Sequence, residues 1–190
     1  SLAFPWPAVR LGDVGQSLIG LTYSPSNVKR SGTLVLRSSN IQNGNLDFDD
    51  TVYVDCAIPD KIRVRESDVL ICVRNGSRRL IGKSVMLDER VVGQTFGAFM
   101  AVYRSEANPF LRYFFQSEGF RNQIDAHLGA TINQITNGSL NSFVVALPPK
   151  VVAAEGAGAE AEILAGPRGV LCRDAGLGAE GVGAVVAGVA

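Results

Sequence analysis

The chain has 190 residues, which suffices for one ordinary domain with a buried core, and its 18 basic residues balance 18 acidic ones. The chain therefore lacks the strong net positive charge that by itself would indicate a nucleic-acid partner. Three cysteines without metal-ligand or redox spacing argue against a secreted disulfide scaffold, and no segment is long and apolar enough to span a membrane, so we expect a cytoplasmic protein.

The charges are distributed unevenly along the chain. Residues 1–150 carry 16 of the basic and 13 of the acidic groups, and 12 of those 16 cations are arginine. Arginine presents a planar fork of donors that matches phosphate oxygens or the edge of a guanine. The arginine excess in the first 150 residues therefore favours recognition over simple solubility.

The first predicted elements are short strands separated by turns. Residues 33–37 (TLVLR) are apolar and β-branched, which predicts a strand that ends in a polar bend at Ser38-Ser39-Asn40. Asn43-Gly44 is a strong tight-turn signal, so a return strand should follow it. Residues 51–54 predict another short strand.

A more apolar strand follows in the middle of the chain. Residues 69–73 (VLICV) form a continuous apolar run, which is typical of a strand buried on both faces. Residues 74–79 (RNGSRR) predict a polar hairpin tip, residues 80–87 a returning strand, and residues 98–103 a further strand.

The pattern becomes helical at Asn108-Pro109, where asparagine is a good N-cap and proline is favoured at the first helical position. Phe120, Ile124 and Leu128 recur at i, i+4 spacing, which predicts a helix over residues 109–128 with a possible break at Gly119. Gly129 should end this helix, and residues 142–147 (SFVVAL) predict the last strand.

The composition changes abruptly after Lys150. Of the last 40 residues, 27 are alanine, glycine or valine, and none is aromatic. Nine glycines disfavour a long helix, and no heptad of large apolar residues supports a coiled coil. We therefore divide the chain into a recognition domain at residues 1–150 and a weakly ordered, low-complexity tail at residues 151–190.

The order of motifs resembles that of a known family, the specificity subunits of type I restriction-modification systems. The resemblance covers about residues 6–149 and depends on the ordered set rather than on any single motif. Its members are Trp6, Leu11-Gly12-Asp13-Val14, Gly20-Leu21-Thr22, Arg37-Ser38-Ser39-Asn40-Ile41 with Asn43-Gly44, Asp68-Val69-Leu70-Ile71, Gly93-Gln94, Tyr113-Phe114-Phe115, Gly129-Ala130-Thr131 and the segment 144–149 (VVALPP).

The resemblance implies an α/β (α+β) fold with a twisted, mostly antiparallel sheet and flanking helices. It also implies a non-catalytic protein that needs no cofactor and binds one half of a split double-stranded DNA target. The implied partners are methyltransferase (modification) subunits and a restriction or translocase subunit, with a homodimer as a further possibility and no membrane contact.

The sequence departs from the family pattern after the proline pair. The family places a long, leucine-spaced helix there, whereas residues 151–190 have the alanine, glycine, valine and arginine content of a GC-rich gene translated out of frame. We therefore expect a truncated or frameshifted half-subunit, which a comparison of the alternative reading frames would test.

Sequence-specific reading requires base-edge donors and acceptors on a stiff frame, with cations nearby to bind phosphates. Two segments and one further residue meet this requirement, although each can also be a solvated turn. The candidate DNA-binding residues are Arg37, Ser38, Ser39, Asn40, Arg74, Asn75, Ser77, Arg78, Arg79, Lys83 and Gln94.

Two other functions compete with DNA reading. A protein-interaction or anti-restriction module could bind methyltransferase subunits without reading bases, and the net neutrality permits it. A small hydrolase is disfavoured because His127 is the only histidine and no nucleophile arrangement stands out, and the same lone histidine argues against a metal site.

Overall fold

The structure is a computed structural model, and it describes residues 6–128 and 133–148. The predicted tail at residues 151–190 and the helix end at Gly129 lie outside the described residues. The strands are β1 (Ala8–Arg10), β2 (Gln16–Ile19), β3 (Val28–Lys29), β4 (Thr33–Leu36), β5 (Ile41–Gln42), β6 (Asn45–Leu46), β7 (Tyr53–Val54), β8 (Val69–Cys72), β9 (Ser84–Met86), β10 (Thr95–Phe96), β11 (Met100–Arg104) and β12 (Val144–Ala146). The α-helices are α1 (Leu11–Val14), α2 (Asn108–Phe115), α3 (Glu118–His127) and α4 (Asn137–Ser142).

The strands form two four-stranded sheets and two small pairs. The central sheet has the order β2-β11-β8-β9 and is antiparallel throughout. The second sheet has the order β10-β4-β7-β3, in which only β10 and β4 run parallel. Strand β1 pairs with β12, and β5 pairs with β6. The expected class, a mostly antiparallel sheet with flanking helices, is confirmed.

The central sheet is buried on both faces because its side chains alternate between two apolar clusters. Val69 and Ile71 of β8 point into one cluster together with the apolar residues of α2, α3 and α4. Leu70 and Cys72 of β8 point into the other, which β4, β7 and β10 complete. The continuous apolar run that the sequence shows at residues 69–73 thus has the two-sided burial predicted for it.

The helical region divides at a different place from the one expected. Helix α2 ends at Phe115, and the Ser117 hydroxyl caps α3 by accepting a hydrogen bond from the Phe120 amide at 3.2 Å. The break therefore precedes Gly119, which lies inside the first turn of α3, because serine competes with helix continuation as a cap.

Asn108 also differs from its predicted role as the N-cap. It is the first residue of α2, and its buried amide donates to the carbonyls of Ser67 at 2.8 Å and Tyr103 at 2.9 Å. Its side chain thus joins the start of the helix to the central sheet.

Several short elements were not predicted. Strand β2 precedes residues 33–37, where the first strand was predicted. Helix α4 follows the predicted helix, and Thr136 caps it by accepting from the Ser139 amide. The Asn43-Gly44 turn is present but joins β5 to β6, while β4 itself pairs with β7 and β10. None of the helices described is long and apolar enough to cross a bilayer.

Candidate nucleic-acid interface

Three connecting segments meet at one end of the two sheets, and we call this surface the loop face: residues 37–42, which include the short strand β5, residues 74–83 and residues 97–99. We refer to them as the first, second and third loops. The first loop follows β4, the second joins β8 to β9, and the third joins β10 to β11. All three begin or end on buried strands, so their backbones are held by the rigid part of the molecule.

Backbone and side-chain contacts tie the three loops to one another. The Gly97 amide donates to the Leu36 carbonyl at 2.9 Å, and the Arg74 amide donates to the Phe99 carbonyl at 3.1 Å. The Asn75 amide group approaches the Ser38 hydroxyl at 3.5 Å. The two loops singled out from the sequence thus lie side by side, with the third between their bases.

Lys83 lies where the first two loops touch. Its ammonium group is 3.5 Å from the Ser38 carbonyl oxygen and 3.4 Å from the Gln42 carboxamide oxygen. Both partners are neutral, so the positive charge of Lys83 is oriented by acceptors without being cancelled.

The arginines of the loop face fall into two groups. Arg37 forms an ion pair with Asp50 at 2.7 Å, and Arg78 forms one with Asp125 at 3.5 Å. Arg74 and Arg79 are exposed, and within residues 6–128 and 133–148 neither has a carboxylate within 4.0 Å. Arg74, Arg79 and Lys83 therefore supply the uncompensated positive charge of this face.

Asn40, a candidate for DNA binding from the sequence, is buried rather than exposed. It is fully buried, and its amide group donates to the carbonyls of Asp47 at 3.0 Å and Asp50 at 2.9 Å while its oxygen accepts from the Arg37 amide. Ser39 also has a buried hydroxyl. These two residues shape the first loop rather than presenting polar groups to solvent.

Gln94 lies away from the loop face. It precedes β10, and its carboxamide oxygen accepts a hydrogen bond of 2.7 Å from the amide of Leu34. Leu34 is three residues before Arg37 on β4, a separation of about 10 Å along a strand. Gln94 thus fastens the second sheet and does not join the other candidates.

The remaining candidates form the outer part of the second loop. Asn75 accepts from the Ser77 amide at 2.9 Å, which is an Asx turn, and a short 3₁₀ helix follows at Arg78–Leu80. The predicted hairpin is therefore present, but its return strand begins at Ser84 because the 3₁₀ helix and a left-handed Gly82 occupy the residues before it. Ser77, Arg78 and Arg79 are all exposed.

Cys72 lies beneath the second loop and contributes no reactive thiolate. It is fully buried, and its thiol donates to the Arg74 carbonyl at 3.6 Å. Burial raises the pKa of this thiol to about 11. No three histidine, cysteine, aspartate or glutamate side chains of residues 6–128 and 133–148 are grouped so that they could hold a metal ion.

A groove of about 420 Å³ borders the loop face on its α3 side. Its rim carries Arg79, Lys83 and Arg121, and its floor is formed by apolar side chains of α2 and α3. Arg121 is engaged, since its guanidinium donates to the Ile81 carbonyl at 2.6 Å and to the Asp125 carboxylate at 3.2 Å. Arg121 therefore joins α3 to the end of the second loop at the edge of this groove.

Sequence reasoning missed Phe99, which is the most exposed large apolar side chain in the described part of the chain. The guanidinium carbon of Arg74 lies 5.0 Å from the centre of its ring. Phe99 falls within the strand predicted at residues 98–103, where an aromatic residue is normally core, so the sequence carries no signal of its exposure.

Comparison with known proteins identifies proteins that are similar to this chain in sequence and in fold. No family model matches the chain. The EcoKI specificity subunit of the type I restriction enzyme from Escherichia coli (strain K12) is 29% identical over 153 residues, which cover 76% of this chain and 33% of that protein. The chain resembles the type I specificity subunits. The corresponding StySPI subunit from Salmonella potsdam is 28% identical, again over 153 residues, 75% of this chain and 33% of that protein.

Solved structures show the same fold. A chain from a structure of complex assembly and conformational transition in the type I R-M system has a TM-score of 0.58 at 20% identity and covers 97% of this chain and 44% of its own length. The HsdS subunit from Thermoanaerobacter tengcongensis has a TM-score of 0.54 at 21% identity, over 80% of this chain and 37% of its own. The family resemblance expected from the sequence is thus confirmed, and the chain spans about one third of the curated specificity subunits that it matches.

Proposed function

We propose that this chain is a DNA target-recognition half of a type I specificity subunit. In this role it binds one part of a bipartite duplex target sequence-specifically and directs partner methyltransferase and nuclease subunits to that site. The observation that supports the proposal most directly is the loop face, where three loops held by buried strands present Arg74, Arg79 and Lys83, none of which pairs with a carboxylate of residues 6–128 or 133–148.

The proposed division of labour follows from the contacts. Arg74, Asn75 and Ser77 are the candidates for base edges, because they lie on a fixed loop, reach solvent and carry donors that suit guanine and adenine. Arg79 and Lys83 are the candidates for phosphates, while Ser38 orients Lys83. Arg37 and Arg78 could contact DNA only if phosphate competes with Asp50 and Asp125 for their guanidinium groups.

The rival proposal, a module that binds methyltransferase subunits without base readout, is not favoured. The curated relatives are specificity subunits. The loop face also places cations beside amide and hydroxyl groups, the combination that suits phosphates and base edges. The proposed role is non-catalytic, with the chemistry assigned to the partner subunits.

The proposal is tested by the salt dependence of DNA binding. The triple variant Arg74→Ala, Arg79→Ala, Lys83→Ala removes up to three phosphate-neutralising charges, so the slope of log affinity against log salt should fall by up to about 2.7, at about 0.9 per contact. Fluorescence anisotropy with labelled duplex DNA between 50 and 200 mM KCl measures this slope.

A matched control carries the same loss of charge elsewhere. Lys61, Arg65 and Arg90 are exposed and lie outside the loop face. Arg104 contacts the Lys61 carbonyl, the Arg65 amide donates to Asp68, and Arg90 follows β9 and pairs with Asp88. Their alanine triple variant should keep the wild-type slope. Equal slopes for both triple variants, together with no sequence enriched from a random duplex library, would refute the proposal.

Partner binding is tested separately. The full chain should co-purify with methyltransferase subunits of a type I system when co-expressed, and sequencing of the methylated sites should reveal one constant half-site. Methylation that is independent of this chain would contradict the assignment of partners.

A further inference from the structure

The third loop of the loop face holds an exposed aromatic ring in a rigid position. Phe99 lies in a tight turn in which the Met100 amide donates to the Gly97 carbonyl at 2.8 Å, and the Ala98 amide donates to the Leu21 carbonyl at 2.9 Å. The Phe99 carbonyl accepts from both the Val73 and the Arg74 amides at 3.1 Å. The backbone of this turn is thus fixed on both sides.

The side chain of Phe99 is not needed to hold that turn. It belongs to neither apolar cluster, and 57% of it is exposed, although the neighbouring Met100 and Gly97 are buried. Single exposed apolar side chains are common on protein surfaces, so exposure alone does not assign Phe99 a role. What sets this ring apart is its place on a fixed turn inside the loop face, next to Arg74.

Arg74 completes the arrangement. Its guanidinium lies over the Phe99 ring at 5.0 Å, and its backbone is joined to the same turn and bridged to Gln134 on the other side. Stacking on an aromatic face limits the orientations of the guanidinium plane while leaving its outer donors free. Arg74 is therefore pre-oriented, and within the described residues no carboxylate competes for it.

We propose that Arg74 and Phe99 act as one reading unit for two neighbouring base pairs, in which Arg74 donates to the O6 and N7 of a guanine and Phe99 packs on the 5-methyl group of an adjacent thymine. This inference rests on the proposed function and names the two side chains that would recognise part of the DNA target. Both contacts use groups that only the major groove presents, and an apolar ring is a recognised partner of the thymine methyl.

The first test uses the sequence that the wild-type chain, alone or with its co-purified partners, enriches from a random duplex library. Replacing the thymine next to the guanine by uracil removes only the methyl group, and it should weaken wild-type binding several-fold. Phe99→Ala should bind the thymine and uracil duplexes equally. A ring with only a structural role would not make binding depend on that methyl group.

Two further variants separate the two halves of the unit. Arg74→Ala should lose discrimination at the guanine by about 5- to 150-fold, the range of a bidentate contact. Phe99→Leu keeps an apolar group for the methyl but removes the aromatic face, so it should retain the thymine preference and lose part of the guanine preference.

Phe48→Ala is the matched control. Phe48 is also an exposed ring beneath an arginine, at 5.4 Å from Arg90, but two hydrogen bonds hold that arginine on Asp88. This variant should discriminate thymine from uracil as the wild type does, and circular dichroism should confirm that each variant is folded.

The outcomes are distinct. If the wild type enriches no sequence, the proposed function fails. If it enriches a sequence in which every thymine tolerates uracil, or if Phe99→Ala still distinguishes thymine from uracil, only the reading unit is overturned. Loss of methyltransferase co-purification in Phe99→Ala with unchanged DNA reading would also overturn it, because the ring would then contact protein.

Discussion

The ion pair between Arg104 of β11 and Asp68 beside β8 yields a sharp prediction about stability. The Arg104 guanidinium donates twice to the carboxylate, at 2.8 and 2.7 Å, and the two side chains are only 13% and 2% exposed. The same guanidinium donates to the Arg63 carbonyl at 2.9 Å, and the carboxylate accepts from the Arg65 amide at 2.9 Å. The pair thus closes the end of the central sheet that lies away from the loop face.

Arg104→Met keeps an apolar stem but leaves the Asp68 carboxylate buried without its cation. Breaking a buried pair in this way costs about 3–5 kcal/mol of the free energy of unfolding. For a chain of this length that loss lowers the melting temperature by roughly 6–20 °C. Urea denaturation followed by circular dichroism measures the free energy.

The double variant Asp68→Asn, Arg104→Met tests the reason for that loss. Asparagine can still accept the Arg65 amide, but it carries no charge, so the double variant should be more stable than Arg104→Met alone. Arg90→Met breaks the solvent-exposed bidentate pair with Asp88 and should leave the denaturation midpoint nearly unchanged. A loss below about 1 kcal/mol in Arg104→Met, or no recovery in the double variant, would show that the buried charge is not what the pair neutralises.

Three further predictions concern other single groups. At pH 8 only about one Cys72 thiol in a thousand is ionised, given its pKa of about 11. Alkylation mapped by mass spectrometry should therefore label the half-buried Cys56 well before Cys72. Equal labelling rates would refute the burial of Cys72. Ser117→Ala removes the cap of α3 and should cost about 1 kcal/mol in urea denaturation, whereas an unchanged midpoint would mean that the hydroxyl is dispensable. A hydrogen bond from the Arg90 side chain lowers the pKa of the Asp88 carboxyl. The stability contributed by this pair is therefore complete above the ordinary carboxyl pKa and is lost as the pH falls through the lowered pKa. An NMR titration of Asp88 should show a higher midpoint in Arg90→Met than in the wild type.

The buried frame could be predicted from the sequence because its pattern is repetitive. The apolar run at residues 69–73 and the i, i+4 spacing of Phe120, Ile124 and Leu128 each repeat one periodicity, and the structure buries all of them. Strand β2 escaped prediction because Gln16 and Ser17 break the apolar pattern, and its place at the edge of the sheet tolerates them.

The candidate site was predictable only in part, because residue type does not reveal how a polar group is satisfied. Asn40 and Asn75 both occur in polar turn segments of the sequence. The side chain of Asn40 is buried and donates to two loop carbonyls, whereas that of Asn75 lies at the loop face. The same ambiguity applies to Gln94, whose acceptor is used by Leu34. Such assignments depend on contacts between residues far apart in the chain.

The second loop is anchored at both ends and exposed at its tip. Ile81 is fully buried, and a side chain at Gly82, where φ is +86°, would collide with Ile124, whereas Ser77 and Arg79 touch solvent. Mutations can therefore accumulate at the outer positions with little penalty to folding, while the anchor tolerates almost none. Under the proposed function, such a chain can acquire a new target by drift at a few codons, and its descendants would differ in the DNA they select long before they differ in architecture.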